Sequence, residues 1–238
     1  DCYEMAGTPT RADFFQLPFN HRADRLSVPE WTKDAVVYNI FPDSFADGFR
    51  TLSGGSDGKT GLGGTIRGVT ENLDYIASMG FNCIYLNPIF AAESYHRYDT
   101  LDYYQVDPHM GSKEDVRALV EKAHSLGIRV LLDGVFNHTG SNSRYFNAEG
   151  FYPELGAAQS QDSLYFDWYS FHPWPTDYDA WWGVRTLPAV NEEAPTYRDF
   201  IVRSQDSVVR HWLRQGADGW RLDVADELPD EFIKLLRN

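Results

Sequence analysis

At 238 residues, 42% hydrophobic and 24% charged, the chain can bury a sizeable core and is too apolar for global disorder. A net charge of -14 and an isoelectric point near 4.8 argue against nucleic acid and anionic membrane surfaces as partners. No apolar run reaches the roughly eighteen residues of a membrane span, and the first residues, "DCYEMAGTPTRADFFQLPFN", lack an apolar signal segment and read as a mature or trimmed end.

Residues 1–33 hold Pro and charges without a sustained period, which reads as an extended lead-in. "AVVYNIFP", residues 35–42, is a nearly continuous apolar run of β-branched and aromatic residues, as expected for a buried parallel strand. A Gly/Ser-rich loop follows, and then "TIRGVTENLDYIASMG" sets Ile66, Val69, Leu73, Ile76 and Met79 at helical spacing ahead of Gly80. "NCIYLNPIF" reads as a second buried strand, with Cys83 as a small core residue. The other cysteine is Cys2, and nothing in the sequence supports a bond between the two.

The alternation continues. "SKEDVRALVEKAHSLG" opens on a Ser cap and an acidic first turn and closes on Gly, so it predicts a helix. "IRVLLDGVF" is a third strand. Residues 137–195 break the rhythm with a polar, aromatic stretch too long for a structureless loop, which predicts a small inserted subdomain. Its cluster "YFDWYSFHPWPTDYDAWWG" serves either packing or the stacking of flat, weakly polar ligands such as sugars. "TYRDFIVRSQDSVVRHWLRQG" predicts one helix, "GWRLDV" a fourth strand and "PDEFIKLLRN" the start of another helix.

Strands joined by single helical crossovers predict parallel neighbours in one sheet. Four repeats fit an open doubly wound sheet or half of an eight-stranded barrel. The glycine fingerprint of dinucleotide binding is missing. Either architecture puts chemistry at the C-terminal strand ends, where three strands deliver Tyr98, Asp99, Asp133, Asn137, His138, Arg221 and Asp223. Singly, each has an ordinary reading: Asp133 as a turn cap, His138 as a scaffold histidine, Tyr98 as packing, Asp99 and Arg221 as a structural ion pair. Jointly they predict a site.

Four segments add a resemblance. "DGVFNH" and "GWRLDVADE" are similar to the first signature and the nucleophile strand of the α-amylase (family 13) glycoside hydrolases. "HRYDTLDYYQVDPHMGS" resembles that family's segment after strand two, and "LPAVN" its signature in the inserted domain. The stretch "WTKDAVVYNIFPDSFADG" resembles most the neopullulanase and cyclomaltodextrinase branch.

The resemblance implies the N-terminal half of a (β/α)8 TIM barrel with a subdomain inserted after strand three. Its parts would be a lead-in over 1–33, strands one to three over 34–136, the insertion over 137–195, and helix three, strand four and the start of helix four over 196–238. It implies retaining cleavage of α-glucosidic bonds, with Asp223 as nucleophile and Arg221 keeping that carboxylate ionised. Tyr98 would stack under the reacting sugar, His138 and Asp133 would orient around it, Asp99 would brace Arg221, and Glu227 would shape the subsites for the leaving group. The general acid, about 5 Å from the nucleophile in a retaining enzyme, follows strand five in this family, so no residue here is assigned to it.

Implied substrates are maltodextrins, cyclodextrins, pullulan or starch. Alternatives are α-glucosidase, isomaltase or transglycosylase action on short oligosaccharides, and a non-catalytic binding or assembly role. The remainder of the barrel would come from a longer chain or a second chain. Many relatives hold calcium after strand one; here Phe49, Leu52 and Thr65 stand where oxygen donors are expected, leaving Asp47, and Asn137 at a second position, as the candidates.

Overall fold

The structure, a computed structural model, describes residues 28–47 and 61–237. Residues 1–35 and 36–238 form two separate contact units. Of the first, the described part holds a 3-10 turn at Glu30–Asp34, closed by a Lys33–Glu30 ion pair of 2.6 Å between exposed side chains. Most of the predicted lead-in, Cys2 included, lies outside the described residues.

In the second unit, four parallel strands form one sheet: β1 (Val37–Ile40), β2 (Cys83–Leu86), β5 (Arg129–Gly134) and β6 (Gly219–Leu222), in the spatial order β1-β2-β5-β6. Chain order and spatial order run the same way, as in a barrel wall. Side chains alternate across the sheet, and its two faces differ. On one face Ile40, Ile84, Leu86, Val130 and Leu132 are buried in a core shared with Ile66, Val69, Leu73, Val116, Leu119, Val208, Trp212 and Phe232 of the helices. The other face carries Asn39, Tyr85, Leu131, Asp133 and Arg221, most of them partly exposed.

The helices cover the apolar face. The first, α1, is a single turn at Pro42–Phe45. The helix expected over 65–80 is two: α2 (Ile66–Glu71), capped by the Thr65 hydroxyl accepting from the Gly68 N–H, and α3 (Leu73–Ser78). They part at Asn72, whose side chain donates to the Gly68 carbonyl at 2.8 Å. Helix α4 (Lys113–Ser125) starts with the predicted Ser112 in a full capping box with Asp115.

Two expectations need correction. The run "NCIYLNPIF" is not one strand, because β2 stops at Leu86, ahead of Pro88. Its last residue opens β3 (Phe90–Ala92), which pairs antiparallel with β4 (Thr100–Val106) in an unanticipated hairpin. The single helix expected after residue 195 is α5 (Pro195–Arg198), a π turn (Asp199–Arg203) and α6 (Val208–Arg214). Extended backbone at Ser204 ends the π turn, and Ser207 and Arg210 side chains take the Val202 carbonyl that a continuous helix would use. Helix α7 (Asp230–Arg237) follows β6.

Residues 137–195 hold no regular strand, only isolated bridges such as His138↔Ala189 and Ala180↔Pro188. Aromatic packing organises them: Tyr145, Phe146 and Trp168 are almost fully buried, and Phe146 contacts Tyr169, Phe171 and Tyr178 within 6 Å between ring centroids.

Candidate active site

Register builds the site. In the β5–β6 pairing Asp133 lies directly across from Arg221, so both project to the same polar face. Asp223, two residues on, keeps that face, and its N–H donates to the Gly134 carbonyl at 3.1 Å. Arg221 Nη1 donates to Asp133 Oδ1 at 3.0 Å and to Asp223 Oδ1 at 2.5 Å. One guanidinium nitrogen thus bridges a fully buried carboxylate and a mostly buried one.

The network continues across the sheet. Asp133 Oδ2 accepts from Tyr85 Oη at 2.5 Å and from Tyr98 Oη at 3.1 Å. Asn87 donates to Tyr98 Oη at 2.8 Å, and Asn39 on β1 donates to Asn87 at 2.9 Å. Every strand of the sheet, or the turn just after it, therefore contributes to one polar line at the C-terminal rim. Burial pushes the Asp133 carboxyl upward, and the bonds from Tyr85 and Arg221 limit the rise. Burial also works against the Arg221 charge, but Asp133 and Asp223 more than offset it and hold the guanidinium protonated.

A cleft of about 570 Å³ opens over this line, walled by His96, Tyr98, His138, Trp181, Leu187, Arg221, Asp223 and Val224, a size suited to a small organic ligand. His138 Nε2 lies 3.0 Å from the Tyr98 carbonyl, which it meets as donor, tying the post-β5 turn to the post-β3 turn. Burial lowers its pKa, which keeps the imidazole neutral near pH 7. Its Nδ1 is buried without a hydrogen-bond partner among the described residues. Val224 takes a left-handed backbone (φ +48), strained for a β-branched residue.

Of the residues predicted from sequence, Tyr98, Asp133, His138, Arg221 and Asp223 converge. Asp99 does not brace Arg221: it accepts from the Ser94 N–H at 3.0 Å and from the Ser94 hydroxyl, fixing the turn before Tyr98. The brace is Asp133, since only a residue in register on the adjacent strand faces Arg221 at contact distance. Glu227 sits beside the cleft and accepts from the Trp181 and Trp182 indole N–H groups. Missing from the sequence reading were Asn39, Tyr85, Asn87 and His96, while Trp181 was read only as one ring of the aromatic cluster over 165–183. For Asn39 and Tyr85 a signal existed: each sits two residues from an apolar strand position on the inward parity, polar where a core strand would be apolar.

Among the described residues calcium finds no complete donor set. Thr65 is engaged as a helix cap and donates to the Asp47 carbonyl, and Phe49 and Leu52 lie outside the described residues. Asn137 is buried with both amide atoms unpartnered among the described residues, and its carbonyl accepts from Val190. No cluster of three or more His, Cys, Asp or Glu among the described residues could hold a metal, and calcium takes six to eight oxygens. The chemistry below uses protein groups alone.

A parallel sheet wall with helices on one face, and a carboxylate–guanidinium–carboxylate line at its C-terminal rim, defines part of a (β/α)8-type enzyme domain. The chain belongs to the α-amylase catalytic domain family, whose description "Alpha amylase, catalytic domain" matches residues 39–234. It is 38% identical to the cyclomaltodextrinase of Geobacillus thermopakistaniensis (strain MAS1) over 99% of this chain and 41% of that protein. It is 38% identical to the intracellular maltogenic amylase of Bacillus subtilis (strain 168) over 94% of this chain and 38% of that protein. The ligand-free cyclic α-maltosyl-(1→6)-maltose hydrolase of Arthrobacter globiformis superposes with a TM-score of 0.73 at 34% identity, covering 87% of this chain and 48% of the other. The chain thus spans less than half the length of each of these relatives.

Proposed function

We propose that this chain supplies the nucleophile half of a retaining α-glucan hydrolase acting on α-1,4 and α-1,6 bonds of maltodextrins, cyclodextrins or pullulan. The reading rests on one observation: Arg221 holds Asp223 from one side and the buried Asp133 from the other, at the floor of a cleft walled by aromatic rings. The names of the relatives support the substrate class.

In the proposed reaction an Asp223 carboxylate oxygen attacks the anomeric carbon as the bond to the leaving glycosidic oxygen breaks. A general acid protonates that oxygen, and water later releases the sugar from the aspartyl ester, restoring the configuration. Arg221 stabilises the carboxylate when it is regenerated, Tyr98 stacks on the reacting ring, and the neutral His138 orients Tyr98 by donating to its backbone carbonyl. Glu227 and Asp226 lie past the nucleophile strand and are not cast as the acid. The acid and the remaining strands come from a longer chain or a second chain. An apolar groove beside β6, lined by Val209, Leu213, Trp220, Leu222, Ile233 and Leu236, fits the next strand and helix. The Trp220 indole N–H is buried there without a partner among the described residues.

Trapping tests the assignment. In the completed barrel, a 2-deoxy-2-fluoro glucosyl donor should label the peptide containing Asp223, and Asp223→Asn should prevent the label. A label on any other residue overturns it. Products from cyclodextrin, pullulan and starch side by side would then fix the preferred glucan.

A further inference from the structure

We infer that Trp182 is a sugar-stacking platform for a glucosyl unit beyond the one attacked by Asp223, held in place by Glu227. This deepens the α-glucan reading and rests on it.

Three observations point there. Trp182 is 80% exposed, although an indole is among the side chains that gain most from burial. Its backbone is left-handed (φ 49, ψ 28), a conformation that costs an aromatic residue energy. The indole is nonetheless fixed: its Nε1 donates to Glu227 Oε1 at 2.8 Å, while Trp181 Nε1 donates to Glu227 Oε2 at 3.0 Å. Both oxygens of one carboxylate, four residues past the nucleophile, are spent orienting two tryptophans.

The rings also lead outward from the reacting centre. His138 and Trp181, both in the cleft, lie 5.3 Å apart between centroids, and Trp181 and Trp182 lie 5.7 Å apart with planes tilted by 33°. A flat apolar face with its polar edge already satisfied suits the C–H face of a pyranose, because stacking there costs no desolvated N–H. The ligand is therefore a neutral oligosaccharide, and Glu227 is a positioning residue that acts through the indoles. A residue retained only to pin the inserted segment to the β6 end would need no exposed ring.

The test uses the completed enzyme with maltoheptaose and 4-nitrophenyl maltoside. Trp182→Ala should lower kcat/KM for maltoheptaose at least fivefold more than for the short glycoside, chiefly through KM. Trp182→Phe, which keeps a ring and loses the N–H, should recover most of that difference. Glu227→Ala should reproduce the selective loss through disordered indoles. Equal losses on both substrates, or no loss on either, overturn the platform while leaving the hydrolase intact. A parent enzyme inert on both substrates overturns the α-glucan reading, and the platform with it.

Discussion

Asp133 and Arg221 show how one side chain can decide the state of a neighbour it does not serve chemically. Asp133 has no exposed side-chain area and takes three donors, from Tyr85, Tyr98 and Arg221. Asp133→Asn should keep the tyrosine bonds but leave Arg221 with Asp223 as its only carboxylate. The expected loss in unfolding free energy is about 3 kcal/mol, the low end for one-sided removal of a buried pair, because the Arg221 side chain is 40% exposed. Arg221 would then shift relative to Asp223, and misplacement of a reacting group costs about a hundredfold in kcat. Denaturant titration and steady-state kinetics read the two effects separately. Glu192 gives a pH signature instead. Burial, with Glu193 and Glu227 nearby, pushes its carboxyl up to about 7 from an ordinary value of 4.5. Between those values the folded state binds more protons than the unfolded one, so this group's contribution to stability falls as pH rises from about 4.5 to 7 and then levels off. Glu192→Gln should remove that fall and stabilise the protein above pH 7 by up to about 3 kcal/mol, with little change below the unfolded value. Urea midpoints at several pH values check the sign; parallel curves for parent and variant would show that Glu192 does not titrate this way.

Elements were legible where a local rule acts alone. Helix α4 announces itself by cap, period and closing glycine, and its capping box uses Ser112 N, Ser112 Oγ and Asp115 Oδ2 at 2.7 Å and Asp115 N at 3.2 Å. Ser112→Ala should therefore cost about 1 kcal/mol, a fall of some 2–4 °C in thermal midpoint for a domain this size, readable by calorimetry. The apolar strands were legible for the same reason, since β2 and β5 are buried on their helix-facing side at Ile84, Leu86, Val130 and Leu132. The β3–β4 hairpin was not, because Thr100–Val106 is mixed in polarity and Phe90 prolongs the apolar run of β2 across Pro88. The π turn before α6 was hidden too: it depends on Ser207 and Arg210 reaching back to Val202, which a periodicity does not encode. At the rim, single strands revealed Asp133, Arg221 and Asp223 as polar residues in apolar company. Which of Asp99 and Asp133 meets Arg221 depended on register between strands 88 residues apart in the chain.

Among the described residues the sheet ends at two unpaired strands, β1 and β6, and its shape makes a demand that no single residue does. β1 leaves Val37 46% exposed, and all four residues of β6 are partly exposed beside the apolar groove of Trp220 and Leu222. Open parallel edges with apolar side chains recruit other strands, and eight are needed to close a barrel of this class. A polypeptide of these 238 residues alone should therefore self-associate in sedimentation experiments and bind a hydrophobic dye. It should hydrolyse 4-nitrophenyl maltoside no faster than its Asp223→Asn counterpart, because the proposed mechanism assigns the proton donor for the leaving oxygen to none of these residues. Co-expression with the remaining strands should abolish dye binding and restore turnover together, since one event covers the edges and delivers the acid. A monomeric, dye-silent and active 238-residue polypeptide would mean that the four-stranded wall is a finished enzyme, with its acid among the carboxylates already at its rim.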